Sequence, residues 1–184
     1  LSFKYLLIVT VPLAVGTTIF SQAIISFFYG NQYASAGLAL SILIWAEIFV
    51  FLGIVNNTIL VAANQQFLDP IFTGGSAVIN VFLNFILIPK YGLGGAALAS
   101  LVAYATGPVM GYFISKTRDY SRSMFYYSLK PLCASLIMFS LNYYFHFSLG
   151  ISLVFSPFIY FLTLYFLKGF DKEDRRILWS IFTS

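Results

Sequence analysis

One acid lies deep inside an apolar run of this 184-residue chain: Glu47, in IWAEIFVFLG. A carboxyl group placed there can hold a proton or a cation, or hydrogen-bond a polar substrate. An ionisable group in apolar surroundings is costly, so it faces a bundle interior or a watery cavity. Thr58 follows eleven residues later, about three helical turns along the same face. The structural alternative is a neutral glutamic acid bonded to a neighbouring helix. A second constellation is Thr73, Ser76, Asn80 and Asn84. Spacings of three, four and four put them on one helix face. Amides in an apolar medium need partners, so this face lines a polar cavity or joins two helices. Asn56 and Asn57, with Gln22, are of the same kind. The candidate substrate- or cavity-lining residues are therefore Glu47, Asn57, Asn80, Asn84, Ser76 and Gln22.

Other chemistries lack their residues. No paired carboxylates, metal-ligand cluster, activated nucleophile or phosphate-binding glycine loop is present, so neither an enzyme nor a cofactor is expected. GLGGAA resembles a nucleotide loop only superficially, since no soluble strand precedes it. The single cysteine, Cys133, can form no disulfide within the chain and is read as small, buried or lipid-facing. Asn142 and His146 are four residues apart near the end of an apolar run, and the lone histidine reads as interfacial.

The elements that must position these residues follow from composition. The chain is 60% hydrophobic and 9% charged, against about 25% charged in soluble domains. That little charge does not cover a water-facing surface, so lipid is the solvent for most of the chain. Runs of about 20 apolar residues span a bilayer. Six occur, at 5–28, 36–63, 70–88, 93–115, 129–147 and 150–167. The expected fold is all-α, a polytopic bundle of six transmembrane helices over 1–168, with an amphipathic tail at 169–184. The connections are 29–35, 64–69, 89–92, 146–150 and the longest, basic one, 116–128. Pro12, Pro108 and Pro157 fall inside spans, where each removes a helix hydrogen bond and can kink it.

Charge orients the bundle. With six spans, Lys4, Lys116, Arg118, Arg122, Lys130, Lys168, Lys172, Arg175 and Arg176 fall on one side and only Lys90 on the other. Cytoplasmic flanks carry such an excess, so both ends are expected in the cytoplasm of a multi-pass inner-membrane protein. These cations flank spans and form no separate face, which disfavours nucleic acid. In the tail, Asp171 is a plausible N-cap. Ile177, Leu178, Ile181 and Phe182 form an apolar stripe, and Arg175 and Arg176 can meet anionic headgroups. The chain opens LSFKYLL, with neither an initiator Met nor a signal-peptide pattern, and reads as a piece of a longer protein.

The stretch LNFILIPKYGLGGAALAS, residues 83–100, organises the middle of the chain. Pro89 is expected to end the third span, because it cannot donate to a helix ladder. Gly92 permits a tight turn. Gly95, Ala99, Ala103, Gly107 and Gly111 then recur every four residues, a stripe that lets helix backbones approach closely in a membrane.

This stretch, with FFYGNQYASAGLALSIL, ILVAANQ and the tail DKEDRRIL, resembles the C-terminal half of polysaccharide-biosynthesis flippases. These belong to the multidrug/oligosaccharidyl-lipid/polysaccharide exporter superfamily. The resemblance rests on Asn80, Asn84, Ile88, Pro89, Gly92, Gly95, Ala96, Ala97 and Ala99. It implies one six-helix lobe of a two-lobe transporter, with the N-terminal lobe of the same protein as its missing partner. It also implies alternating-access transfer of lipid-linked oligosaccharide or polysaccharide precursors across the cytoplasmic membrane, with membrane lipid and a lipid-linked glycan as partners and no nucleic acid. Pyrophosphate-linked substrates need cations, and no Lys or Arg lies well inside a span here, so cationic binding residues are expected in the missing lobe. The alternatives are a cation-coupled multidrug exporter of the same superfamily, with Glu47 as coupling site, and a non-transporting membrane glycan-assembly partner.

Overall fold

A computed structural model describes residues 2–113, 118–145 and 149–169. The described residues are almost entirely helical, and the protein is an all-α polytopic membrane protein. The order is α1 (Ser2–Tyr29), a short 3-10 helix (Asn31–Ala36), α2 (Gly37–Ala62), α3 (Leu68–Phe113), α4 (Arg118–Phe145) and α5 (Leu149–Phe166). Among the described residues, three helical stretches are long and apolar enough to cross a membrane: Phe3–Tyr29, Asn31–Ala62 and Leu68–Phe113. The chain divides into two compact units, Leu1–Tyr127 and Ser128–Ser184.

The third of these stretches is not one rod. A straight helix of 46 residues would be about 69 Å long, more than twice the hydrocarbon thickness. Yet Ser76 hydrogen-bonds Thr106, thirty residues on, at 3.0 Å, and Asn80 donates to Ser100 at 3.4 Å. Residues so far apart meet only if the chain doubles back. It does so at Gly92, with φ 55° and ψ −130°. L side chains rarely adopt that positive φ, so glycine is favoured there. α3 is therefore an antiparallel hairpin, with one arm on either side of Gly92.

This corrects the expectation for Pro89. The helix runs through Pro89 and breaks three residues later. Proline's fixed φ is itself helical, so losing one hydrogen bond weakens the ladder without reversing the chain. Reversal needs the positive φ that Gly92 supplies. The 116–128 connection is corrected as well. Helix α4 already begins at Arg118, with Asp119 in its first turn, where a carboxylate complements the helix dipole. Its 28 residues make about 42 Å of helix.

Other ends are closed locally. Gly30 turns the chain after α1 with φ 94°. Asn64, at φ 55°, ends α2, and Gln65 N–H bonds back to the Leu60 carbonyl at 2.8 Å. Lys168, at φ 52°, ends α5 in the same way, with Gly169 N–H on the Leu164 carbonyl at 2.8 Å. Both are left-handed caps that satisfy orphan carbonyls.

The first unit packs by close backbone approach. Val11, Ala14 and Val15 of α1 and Ala46 and Leu52 of α2 are buried. A Cβ on Gly37 would lie 2.9 Å from the Gln22 backbone, so α1 and α2 nearly touch there. Leu60, Leu68 and Phe72 form a buried cluster with Met110 against it, tying α2 to both arms of α3. Of the small-residue stripe, Gly95, Ala99, Ala103 and Gly111 are buried and Gly107 is half-buried. Most large side chains facing outward are apolar, such as Val78 at 71% and Phe85 at 80% exposure, as lipid contact requires.

Candidate functional site

The polar residues of the spans fall into three groups. The first lies inside the α3 hairpin. Ser76 is buried and shares a hydrogen bond with Thr106. Thr106 in turn donates to the Ala103 carbonyl. Asn80 donates to Ser100, and Asn84 donates to Asn80 Oδ1 at 2.9 Å. Ser76, Asn80 and Asn84 thus form one ladder facing the second arm. Asn84 Oδ1 is buried without a partner. Sequence reading missed Ser100 and Thr106. Folding the chain about Gly92 pairs residues whose numbers sum to roughly 181, and that register would have found them.

The second group is on α1 and α2. Glu47 is exposed on α2, between buried Ala46 and Ile48. Leu43, Phe51 and Ile54 are exposed at helical spacing around it, and Thr58 is exposed farther along. A carboxyl group is thereby presented on an otherwise apolar face. Gln22 is exposed on α1, and Asn56 and Asn57 are half-buried on α2. The ladder of α3 does not include these residues. α1 and α2 are fastened to each other by Trp45, whose indole Nε1 donates to Thr18 Oγ1 at 3.0 Å. Thr18 donates to the Ala14 carbonyl at 2.8 Å and lies 3.3 Å from the Ser41 carbonyl.

The third group is in the second unit. Asn142 is buried, and its Nδ2 donates to the Met138 carbonyl at 2.9 Å and to Ser156 Oγ at 3.0 Å. Ser152 Oγ donates to Asn142 Oδ1 at 2.8 Å, and Ser156 Oγ also reaches that oxygen at 3.2 Å. One amide thus joins α4 to α5. His146, read with Asn142 from spacing, lies outside the described residues, as does the tail from 170. Cys133 is exposed.

Among the described residues, no group of three or more His, Cys, Asp or Glu side chains is placed to hold a metal ion. What the arrangement can do is present the Glu47 carboxyl group and amide edges from apolar helices, which suits recognition or coupling in a membrane.

Comparison with known proteins gives three relatives. The chain is 29% identical over 156 residues to a Haloferax volcanii protein named Probable low-salt glycan biosynthesis flippase Agl15, covering 83% of this chain and 32% of that one. It is 31% identical over 112 residues to an uncharacterised membrane protein of Methanocaldococcus jannaschii, covering 61% of this chain and 20% of the other. It is 30% identical over 118 residues to lipid II flippase MurJ of Bacillus subtilis, covering 62% of this chain and 22% of that protein. The chain thus spans between a fifth and a third of the length of these relatives. The resemblance to flippases expected from residues 83–100 is met by two proteins of that name. No family model and no solved structure matches the chain.

Proposed function

We propose that this chain is one lobe of a flippase that moves a lipid-linked oligosaccharide or polysaccharide precursor across the cytoplasmic membrane by alternating access. The observation that carries the reading is the similarity to two flippases over most of the chain in one case and three-fifths in the other. The α3 hairpin, α1, α2, α4 and α5 supply six helical segments at the six expected spans, and we take each as one membrane crossing. Charge then puts both ends, and the tail, in the cytoplasm. An N-terminal lobe of the same protein completes the transporter.

In this reading Glu47, Gln22 and Asn57 line the substrate path, and Glu47 changes partner or protonation as the lobes rock. Ser76, Asn80 and Asn84 edge the path while their ladder holds the α3 hairpin closed. A helix-borne carboxyl group facing apolar surroundings is retained where it meets a cavity or a partner. The same feature supports a second reading, cation-coupled export of small molecules. The test is a reconstituted assay in proteoliposomes that offers a fluorescent lipid-linked oligosaccharide in one arm and a small cationic drug in the other. Flipping of the glycan lipid, with its pH or ion dependence abolished in Glu47→Gln, is the expected result. Drug efflux without glycan flipping would favour the exporter. A Glu47→Gln protein that flips with unchanged ion dependence would remove Glu47 from coupling.

A further inference from the structure

Two buried hydroxyls of the second unit, Ser135 Oγ and Tyr160 OH, bond to none of the described residues. Their situations differ. A serine hydroxyl inside a helix can turn onto the carbonyl four residues back, as Ser140 does onto Leu136 at 2.8 Å. A tyrosine hydroxyl sits at the far end of a rigid ring, beyond the carbonyls of its own turn. Tyr160 is 0% exposed, and a buried hydroxyl without a partner carries its full desolvation cost.

Helix geometry says where that hydroxyl lies. Long side chains lean over the turn before their own Cα, which for Tyr160 is the turn of Ser156 and Pro157. Ser156 there receives the Asn142 amide. Pro157 lies inside α5 and has no N–H, so the carbonyl of Leu153, four residues earlier, loses its helical donor. Residues 153 and 160 are seven apart, about two turns, on the same side of the helix. A donor lacking an acceptor and an acceptor lacking its donor therefore share one side of one helix break. The two do not bond directly. A group that joins them accepts from the phenol, donates to the carbonyl and fits inside a closed seam. Water does all three, and ordered waters repair proline breaks in membrane helices. We propose that the break at Pro157 holds one ordered water molecule, accepting from Tyr160 OH and donating to the Leu153 carbonyl. The site belongs to the α4–α5 seam and does not depend on what the protein transports.

Pulsed X-ray footprinting of the intact protein in lipid nanodiscs, with oxygen-18 water and a mass-spectrometric readout, tests this. Radiolysis of a bound water makes a hydroxyl radical in place, so a buried ring beside that water is oxidised. Tyr160 should take up label at a rate comparable with Tyr165, which is 61% exposed. Pro157→Ala returns an N–H to the Leu153 carbonyl and removes the water's acceptor. Tyr160 should then become protected while Tyr165 is labelled as before. A protected Tyr160 in the wild type, or equal Tyr160 labelling in Pro157→Ala, would overturn the proposal. Reversible unfolding gives a second readout. Tyr160→Phe should raise the unfolding equilibrium constant of the wild type about fivefold, the size of one hydrogen bond, and leave that of Pro157→Ala unchanged. A wild type stabilised by Tyr160→Phe would mean that the hydroxyl is unpartnered, and an equal loss in both backgrounds would mean that its partner is elsewhere. Either result overturns the proposal.

Discussion

Two helical hairpins of this molecule, α3 and α4–α5, are closed by different devices. The α3 hairpin turns within one residue, Gly92, and its arms lie almost backbone to backbone. A Cβ on Gly95 would lie 3.0 Å from Ile88 N and closer still to the Leu87 carbonyl. Its polar bonds, from Ser76 to Asn84, run along the seam as a ladder. The α4–α5 hairpin has bulkier residues in its seam, including the buried Met138, Tyr160 and Leu164. One residue, Asn142, gathers the buried side-chain hydrogen bonds described between its helices. Where small residues let backbones touch, packing carries the association and each hydrogen bond is a small addition. Where large side chains hold helices apart, a single satisfied amide carries more.

That contrast can be broken by substitution, and the largest effect should come from Gly95→Val. The new side chain meets backbone that has no rotamer to yield, so the arms must part. A loss of about 3 kcal/mol or more is expected, at the upper end of overpacking costs. Reversible unfolding in mixed micelles would read it, and a loss under 1 kcal/mol would mean the arms do not touch. Asn142→Leu should come next, at about 1–3 kcal/mol, because Ser152 and Ser156 lose their shared partner in a buried seam. Double-mutant cycles between Asn142→Leu and Ser152→Ala should show strong coupling, and additivity would argue against a hub. Asn80→Ala should cost least, about 0.6 kcal/mol, as single hydrogen bonds between membrane helices do. A cost from Asn80→Ala as large as that from Asn142→Leu would erase the distinction between ladder and hub.

The α3 hairpin was legible in the sequence because its signals are local. Gly92 marks a turn, Gly95 to Gly111 recur every four residues, and Ser76, Asn80 and Asn84 share a face. The error at Pro89 came from treating a weakened helix as an ended one. The two helices of the second hairpin were legible as apolar runs, but the partners of Asn142 were not, for a physical reason. Ser152 and Ser156 look like ordinary small residues of a span, and nothing local tells Asn142 which helix it faces. Its bonds run to serines ten and fourteen residues away. Glu47 was legible as a residue of interest, but its role depends on what covers an exposed face of α2. The sequence of this chain does not contain that information.

In the proposed function α3 makes two crossings, and its turn lies on the side of the membrane opposite the start of α4. Single-cysteine accessibility in intact cells tests this directly, in a Cys133→Ser background. Tyr91→Cys, beside the turn, should react with an impermeant maleimide added outside. Asp119→Cys, in the first turn of α4, should react only after the membrane is permeabilised. Labelling of Asp119→Cys from the outside, with Tyr91→Cys protected, would contradict both the hairpin's orientation and the lobe built upon it.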